Sequence, residues 1–221
     1  MQFTILIIEL ILLYFLSRSV TKWLFTLFLL IFRARSVAIS LLLVLEFPGT
    51  VIHELSHLFT AEILRVPTGK LTLVPESIRE ENIRSGSVAI AETDPFRRYA
   101  IGLAPIFWGL ITLTAIAYLL PETSNWGDWG NWGYWGFLYL LFAVSNTMFS
   151  SSEDMKGFWP FAFVLTLFIG AGYYLGLRIP PLNGSIISTL TQSLSIVLFV
   201  NIVLLMTSWG LTRLIYSLWR H

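Results

Sequence analysis

"GTVIHELSHLFTAEIL", residues 49–64, sets two histidines and a glutamate inside an otherwise apolar, helix-like run. His53 and His57 are four residues apart, so on an α-helix they lie one turn apart on one face, where both imidazoles reach a single metal ion. Glu54 projects beside them. The pattern is H-E-x-x-H, whose chemistry needs two neutral imidazoles on zinc, an open coordination position, and a carboxylate that takes a proton from water. Ionisable side chains are costly at membrane depth unless paired or used, and two of the chain's 3 histidines sit here.

The surroundings of this stretch are those of a membrane protein. Of 221 residues, 56% are hydrophobic and 12% charged, far from the balance of a soluble domain. Apolar runs recur at 3–17, 23–32, 36–52, 99–120, 133–149, 158–177 and 186–211. Several are long enough to cross a hydrocarbon core of about 30 Å as helix. The expected fold is therefore an all-α polytopic membrane protein, with about six transmembrane helices and a short β-containing cytoplasmic loop. The N-terminus lacks a basic region and a small-residue cleavage site, and its first charge is Glu9, so residues 1–17 are expected to stay as membrane helix. With no cysteine, any metal must use His, Asp or Glu. A formal charge of +1, from basic residues scattered along the chain, argues against a nucleic-acid partner. The bilayer is the expected environment, and nothing in the sequence speaks to oligomeric state.

Three regions follow: an N-terminal membrane segment (1–35), a core (36–177) and a C-terminal transmembrane helix (178–221). The longest polar interval, 65–98, carries six Arg or Lys and five Asp or Glu. Within it "KLTLV" and "GSVAIA" are bounded by Pro, Gly and Ser and read as two short strands. Asp94 followed by Pro95 reads as an N-cap with proline at N1. The interval 121–132 holds only Glu122 and Asp128 as charges, so the positive-inside rule puts 65–98 in the cytoplasm and 121–132 outside. Both termini and the site then face the cytoplasm. The Trp-Gly repeat at 126–136 argues against a stable helix in water and for an interfacial anchor. Pro48 and Gly49 predict a kink or a helix start before His53. Glu9 and Glu46 are costly in lipid and call for partners on other helices; Glu46, seven residues before His53, also lies on nearly the face of the site.

Catalytic zinc usually has three protein ligands. His221 is terminal, whereas "SNTMFSSSEDMKG", 145–157, breaks two apolar runs on the side toward which the His53 helix runs, and offers Glu153 and Asp154.

Together these motifs resemble the site-2 protease family of intramembrane zinc metalloproteases. "HELSH" followed by "LFTAEILRV" is similar to the family's metal helix, and "AIGLAPIFWG", 100–109, to the small-residue and proline motif opening its next core helix. "NTMFSSSED", 146–154, resembles the family's N-x-x-P-x-x-x-L-D-G, with Phe149, Glu153 and Met155 in place of its proline, leucine and glycine. The resemblance covers roughly residues 36–177. It implies His53, His57 and Asp154 as zinc ligands, with Glu153 the alternative third ligand. It further implies Glu54 as general base and Asn146 as a substrate-binding residue.

The expected activity is zinc-dependent hydrolysis of a peptide bond in a membrane-protein substrate whose helix unwinds locally. Two other readings stay open: a membrane zinc protease acting on soluble unfolded chains, and a non-catalytic scaffold that binds client helices.

Overall fold

The computed structural model describes residues 2–73, 86–119, 132–149, 154, 167, 170–172, 174–176 and 184–219. These form five long helices and one small sheet: α1 (Gln2–Phe32), α2 (Arg35–Ile63), β1 (Thr68–Thr72), β2 (Ser87–Ile90), α3 (Pro95–Leu119), α4 (Trp132–Thr147) and α5 (Gly184–Trp219). Among the described residues three helices, α2, α3 and the 187–218 part of α5, are long and apolar enough to cross a membrane, against about six expected for the chain. Helix α4 has 16 residues, short of the roughly 20 that a span needs, and α1 carries Glu9, Arg18 and Lys22 along its length. The expected run at 158–177 falls almost wholly outside the described residues.

Residues 2–32 are one unbroken helix, extending well past the 1–17 run. It ends where Arg33 takes φ +53°, still donating its amide to the Leu29 carbonyl at 2.9 Å. Ala34 is extended, and α2 turns back antiparallel, so that Thr21 of α1 meets Glu46 of α2. Helix α2 passes through Pro48 without a break, and its start is at Arg35, not in "EFPG". Gly49 has a packing role instead: a Cβ there would collide with the Ala143 carbonyl and Thr147 Oγ1. Glycine thus lets α2 and α4 approach backbone to backbone one turn before His53, the use that small residues have between membrane helices.

The end of α2 is equally specific. The Val66 amide reaches the Ala61 carbonyl at 2.9 Å and the Arg65 amide reaches that of Glu62 at 3.0 Å, with Arg65 left-handed at φ +56°. This is a Schellman cap. Buried Val66 packs on Ala61 and Ile101, and Pro67 follows where a helix cannot continue. The chain then enters the antiparallel β1–β2 pair, whose register matches Leu71 with Val88 and Thr72 with Ser87. Strands were expected at these places, and β1 begins two residues earlier than "KLTLV". Helix α3 starts at Pro95, its Asp94 cap accepting the Arg97 amide at 3.0 Å. Helix α4 begins inside the Trp-Gly repeat and includes Gly133 and Gly136, so packing overrides the low helix propensity of glycine in this part of the repeat.

The core gathers Leu13, Leu113, Leu141, Val144, Leu194 and Val197 from α1, α3, α4 and α5. Small polar residues fill the tightest places: Ser145, Ser193 and Asn201 are fully buried, and Asn201 Nδ2 donates to the Val197 carbonyl at 3.0 Å. Contacts between α1 and α5 climb in the same order along both helices, from Glu9 with Ser195 to Val20 beside Leu204 and Leu205. The two helices are therefore parallel. The first turn of α1 and the last turn of α5 lie at opposite ends of the bundle, whereas the sequence reading put both termini on one side.

Candidate metal centre

Helix α2 delivers His53 and His57 to one face, as the i, i+4 spacing requires, and both are buried. Asp154 arrives from the chain beyond α4. Its Oδ2 lies 3.2 Å from His53 Nε2 and 3.3 Å from His57 Nε2, and the two Nε2 atoms are 3.2 Å apart. Three ligand atoms thus make a nearly equilateral triangle. Ligands placed tetrahedrally at about 2.0–2.1 Å from zinc are roughly 3.3–3.4 Å from one another, so the triangle has the dimensions of one face of such a site.

The proton positions strengthen the fit. His57 Nδ1 lies 2.8 Å from the Ile101 carbonyl, an acceptor only, so Nδ1 carries the proton. In the neutral ring Nε2 then presents a lone pair, and it points at a carboxylate oxygen. Two acceptors at that distance repel unless a cation or a second proton lies between them. A divalent ion resolves the conflict for both histidines at once, and the Ile101 bond is the outer-shell support that fixes a metal-binding tautomer.

Glycines make the room. A Cβ on Gly102 of α3 would lie 3.2 Å from the Asp154 carbonyl oxygen, so α3 receives the Asp154 backbone against its bare face. A Cβ on Gly86, just before β2, would lie 2.7 Å from Glu54 Cγ and 2.8 Å from its Oε1. The sheet end of the 65–98 connection therefore rests on the glutamate. Neither glycine nor the Ile101 carbonyl was singled out from sequence; Gly102 lies in the "AIGLAPIFWG" stretch, while Gly86 carries no signal beyond its place beside a strand.

Of the residues expected at the site, His53, His57 and Asp154 meet, and Glu54 is buried next to them in sequence. Asn146 lies in the last turn of α4, 5% exposed, and neither its Oδ1 nor its Nδ2 has a hydrogen-bond partner among the described residues. Glu153 lies outside the described residues. Glu46 turns away to α1, where its Oε1 accepts from Thr21 Oγ1 at 2.9 Å, so it supports the helix pair rather than the metal face. Glu9 accepts from Ser195 Oγ at 2.7 Å on α5. Asp154 keeps 23% of its side chain exposed, but its Oδ2 is buried with His53 and His57, so the three ligand atoms are enclosed. Comparison with protein-family models, curated proteins and solved structures found no match.

Proposed function

We propose that this chain is a zinc-dependent intramembrane endopeptidase, as its resemblance to the site-2 protease family implies. The observation that carries the proposal is the triangle of His53 Nε2, His57 Nε2 and Asp154 Oδ2, with Glu54 between the two histidines in sequence. Bound zinc supplies Lewis acidity, which polarises a carbonyl and makes water a better nucleophile at neutral pH. The protein supplies the rest. Glu54 accepts the proton of the attacking water and hands it to the leaving amine. Its contact with Gly86 limits the glutamate's freedom and keeps it near the histidines.

A helical substrate hides its carbonyls in its own hydrogen bonds, so the substrate segment unwinds before cleavage. The carboxamide of Asn146, buried and unpartnered among the described residues, offers one acceptor and two donors to such an extended segment. The outer edges of β1 and β2 offer further backbone groups for strand addition. In this reading the site end of the bundle faces the cytoplasm, because the 65–98 connection next to it holds Arg65, Lys70, Arg79, Arg84, Arg97 and Arg98. The last turn of α5 then faces the other side.

The test is a paired measurement on purified, reconstituted protein. Zinc per chain near one in the wild type and in Glu54→Gln, with cleavage of a membrane-anchored substrate lost only in Glu54→Gln, is the expected result. Zinc that never loads moves the reading to a non-catalytic scaffold for client helices. Cleavage that survives Glu54→Gln removes the glutamate from the mechanism.

A further inference from the structure

A second site lies at the opposite end of the bundle from the metal centre. Between α1 and α5 is a cavity of about 780 Å³, lined by Lys22, Trp23 and Thr26 on one helix and Arg213, Tyr216 and Ser217 on the other. Its two cations face the same space. Neither Lys22 nor Arg213 has a carboxylate partner among the described residues, in contrast to Arg97, which is paired with Asp94 at 3.2 Å. The guanidinium of Arg213 stacks 5.6 Å from the centroid of the Trp209 ring, which restrains it without neutralising it. The wall includes Thr212, 2% exposed, whose hydroxyl has no hydrogen-bond partner among the described residues.

Two cations and a buried hydroxyl around one cavity, with aromatic side chains beside them, call for an anion. We propose that this cavity binds the phosphate of an anionic phospholipid headgroup. The lipid source is favoured over free phosphate by what surrounds the cavity. Leu214 and Leu218 on α5, and Ile31 and Phe32 in the last turn of α1, are exposed apolar side chains on the same two helices. They present a hydrocarbon surface on which acyl chains lie while the headgroup enters the cavity. Trp23 and Tyr216, which line the cavity beside the two cations, are residue types that settle at a membrane interface. Parallel packing of α1 and α5 is what brings the two cations together. The site is independent of the metal centre, and it would tie the outer helix pair to the charge of the leaflet it sits in.

The experiment measures lipid retention by native mass spectrometry on the full chain. Phosphatidylglycerol and phosphatidylcholine with identical acyl chains are compared as probes. The wild type is expected to prefer phosphatidylglycerol by about twenty-five-fold, the product of two cations that each favour an anionic headgroup about fivefold. Lys22→Gln with Arg213→Gln should abolish the preference, and Lys22→Arg with Arg213→Lys should keep it. Equal retention of the two lipids by the wild type, or an unchanged preference in the glutamine variant, overturns the proposal. Displacement of phosphatidylglycerol by about 10 mM inorganic phosphate assigns the cavity to a free anion and overturns the lipid reading. Should the glutamine variant not purify as a monodisperse protein, the wild-type preference must still fall as salt rises from about 0.05 to about 0.5 M, and a flat response overturns the proposal.

Discussion

Two sets of buried ionisable groups share this bundle, and they are satisfied in different ways. Glu9 and Glu46 each meet one hydroxyl from a neighbouring helix, Ser195 at 2.7 Å and Thr21 at 2.9 Å. These are one-to-one pairings that hold helices together. At the other set, His53, His57 and Asp154 aim three ligand atoms at one another within 3.3 Å, and His57 spends its spare proton on a backbone carbonyl. Helix-to-helix pairing accounts for Glu46 Oε1 and Glu9 Oε1, while Glu9 Oε2 is buried with no hydrogen-bond partner among the described residues. Convergence of acceptors calls for a cation, and it separates a binding centre from structural polarity in the same bundle.

The sharpest break of that comparison is Asp154→Ala against Glu46→Gln. Removing a ligand atom should cut zinc affinity by well over the roughly 10–100-fold that outer-shell changes cost, whereas Glu46→Gln should leave zinc content unchanged. Metal analysis after dialysis against a weak chelator reads both. Equal zinc loss in the two variants would mean that Glu46 supports the centre after all.

Next in size is Gly49→Val. The added side chain has no space between α2 and the Ala143 carbonyl, so the helix pair must separate, at a cost of about 1–3 kcal/mol or more. Lower thermal stability together with reduced zinc content is the expected outcome, since α4 leads to Asp154. Loss of stability with zinc intact would show that the α2–α4 contact and the centre are uncoupled.

A smaller effect is expected from Gly86→Ala, where the methyl group would press on Glu54. Displacing a catalytic group by a fraction of an ångström should lower kcat about tenfold and leave zinc binding alone, which single-turnover kinetics and metal analysis separate. An unchanged kcat would mean that the sheet end yields.

Smallest is the cap of α3. The Arg97 amide and guanidinium hold the Asp94 carboxyl below its ordinary range, so its contribution to stability is present above the unfolded aspartate pKa of about 3.9 and fades as pH falls below it. A wild type and an Asp94→Ala variant that converge in melting temperature at low pH, and separate slightly at neutral pH, would match this. A gap of constant size across that range would assign the role to packing of the side chain, not its charge.

How much of this was legible beforehand differs by element. The H-E-x-x-H face, the Asp94–Pro95 helix start and the strands flanking 74–85 follow from local rules of spacing and capping, and they appear where those rules put them. The membrane character was equally plain, although three helices rather than six meet the requirement of length and apolarity among the described residues. The apolar run at 133–149 appears as α4, which takes in the last glycines of the Trp-Gly repeat, since propensity measured in water is a weak guide where helix packing and lipid replace water. "EFPG" is not a helix start: Pro48 is accommodated inside α2, and Gly49 serves the contact with α4.

The sequence by itself determined that two imidazoles and a carboxylate share one helix in an apolar chain, because a period of 3.6 residues and the cost of polar groups in lipid are properties of any helix in any membrane. The resemblance named Asp154, but only the tertiary structure brought it and the Ile101 carbonyl to that face. Asp154, the Ile101 carbonyl and Gly86 lie 101, 48 and 33 residues beyond His53, and Lys22 and Arg213 share a cavity only because α1 and α5 run in the same direction. Such contacts depend on how close backbones approach and which way helices point. Those are set by packing across the whole bundle, and no local spacing along the chain encodes them.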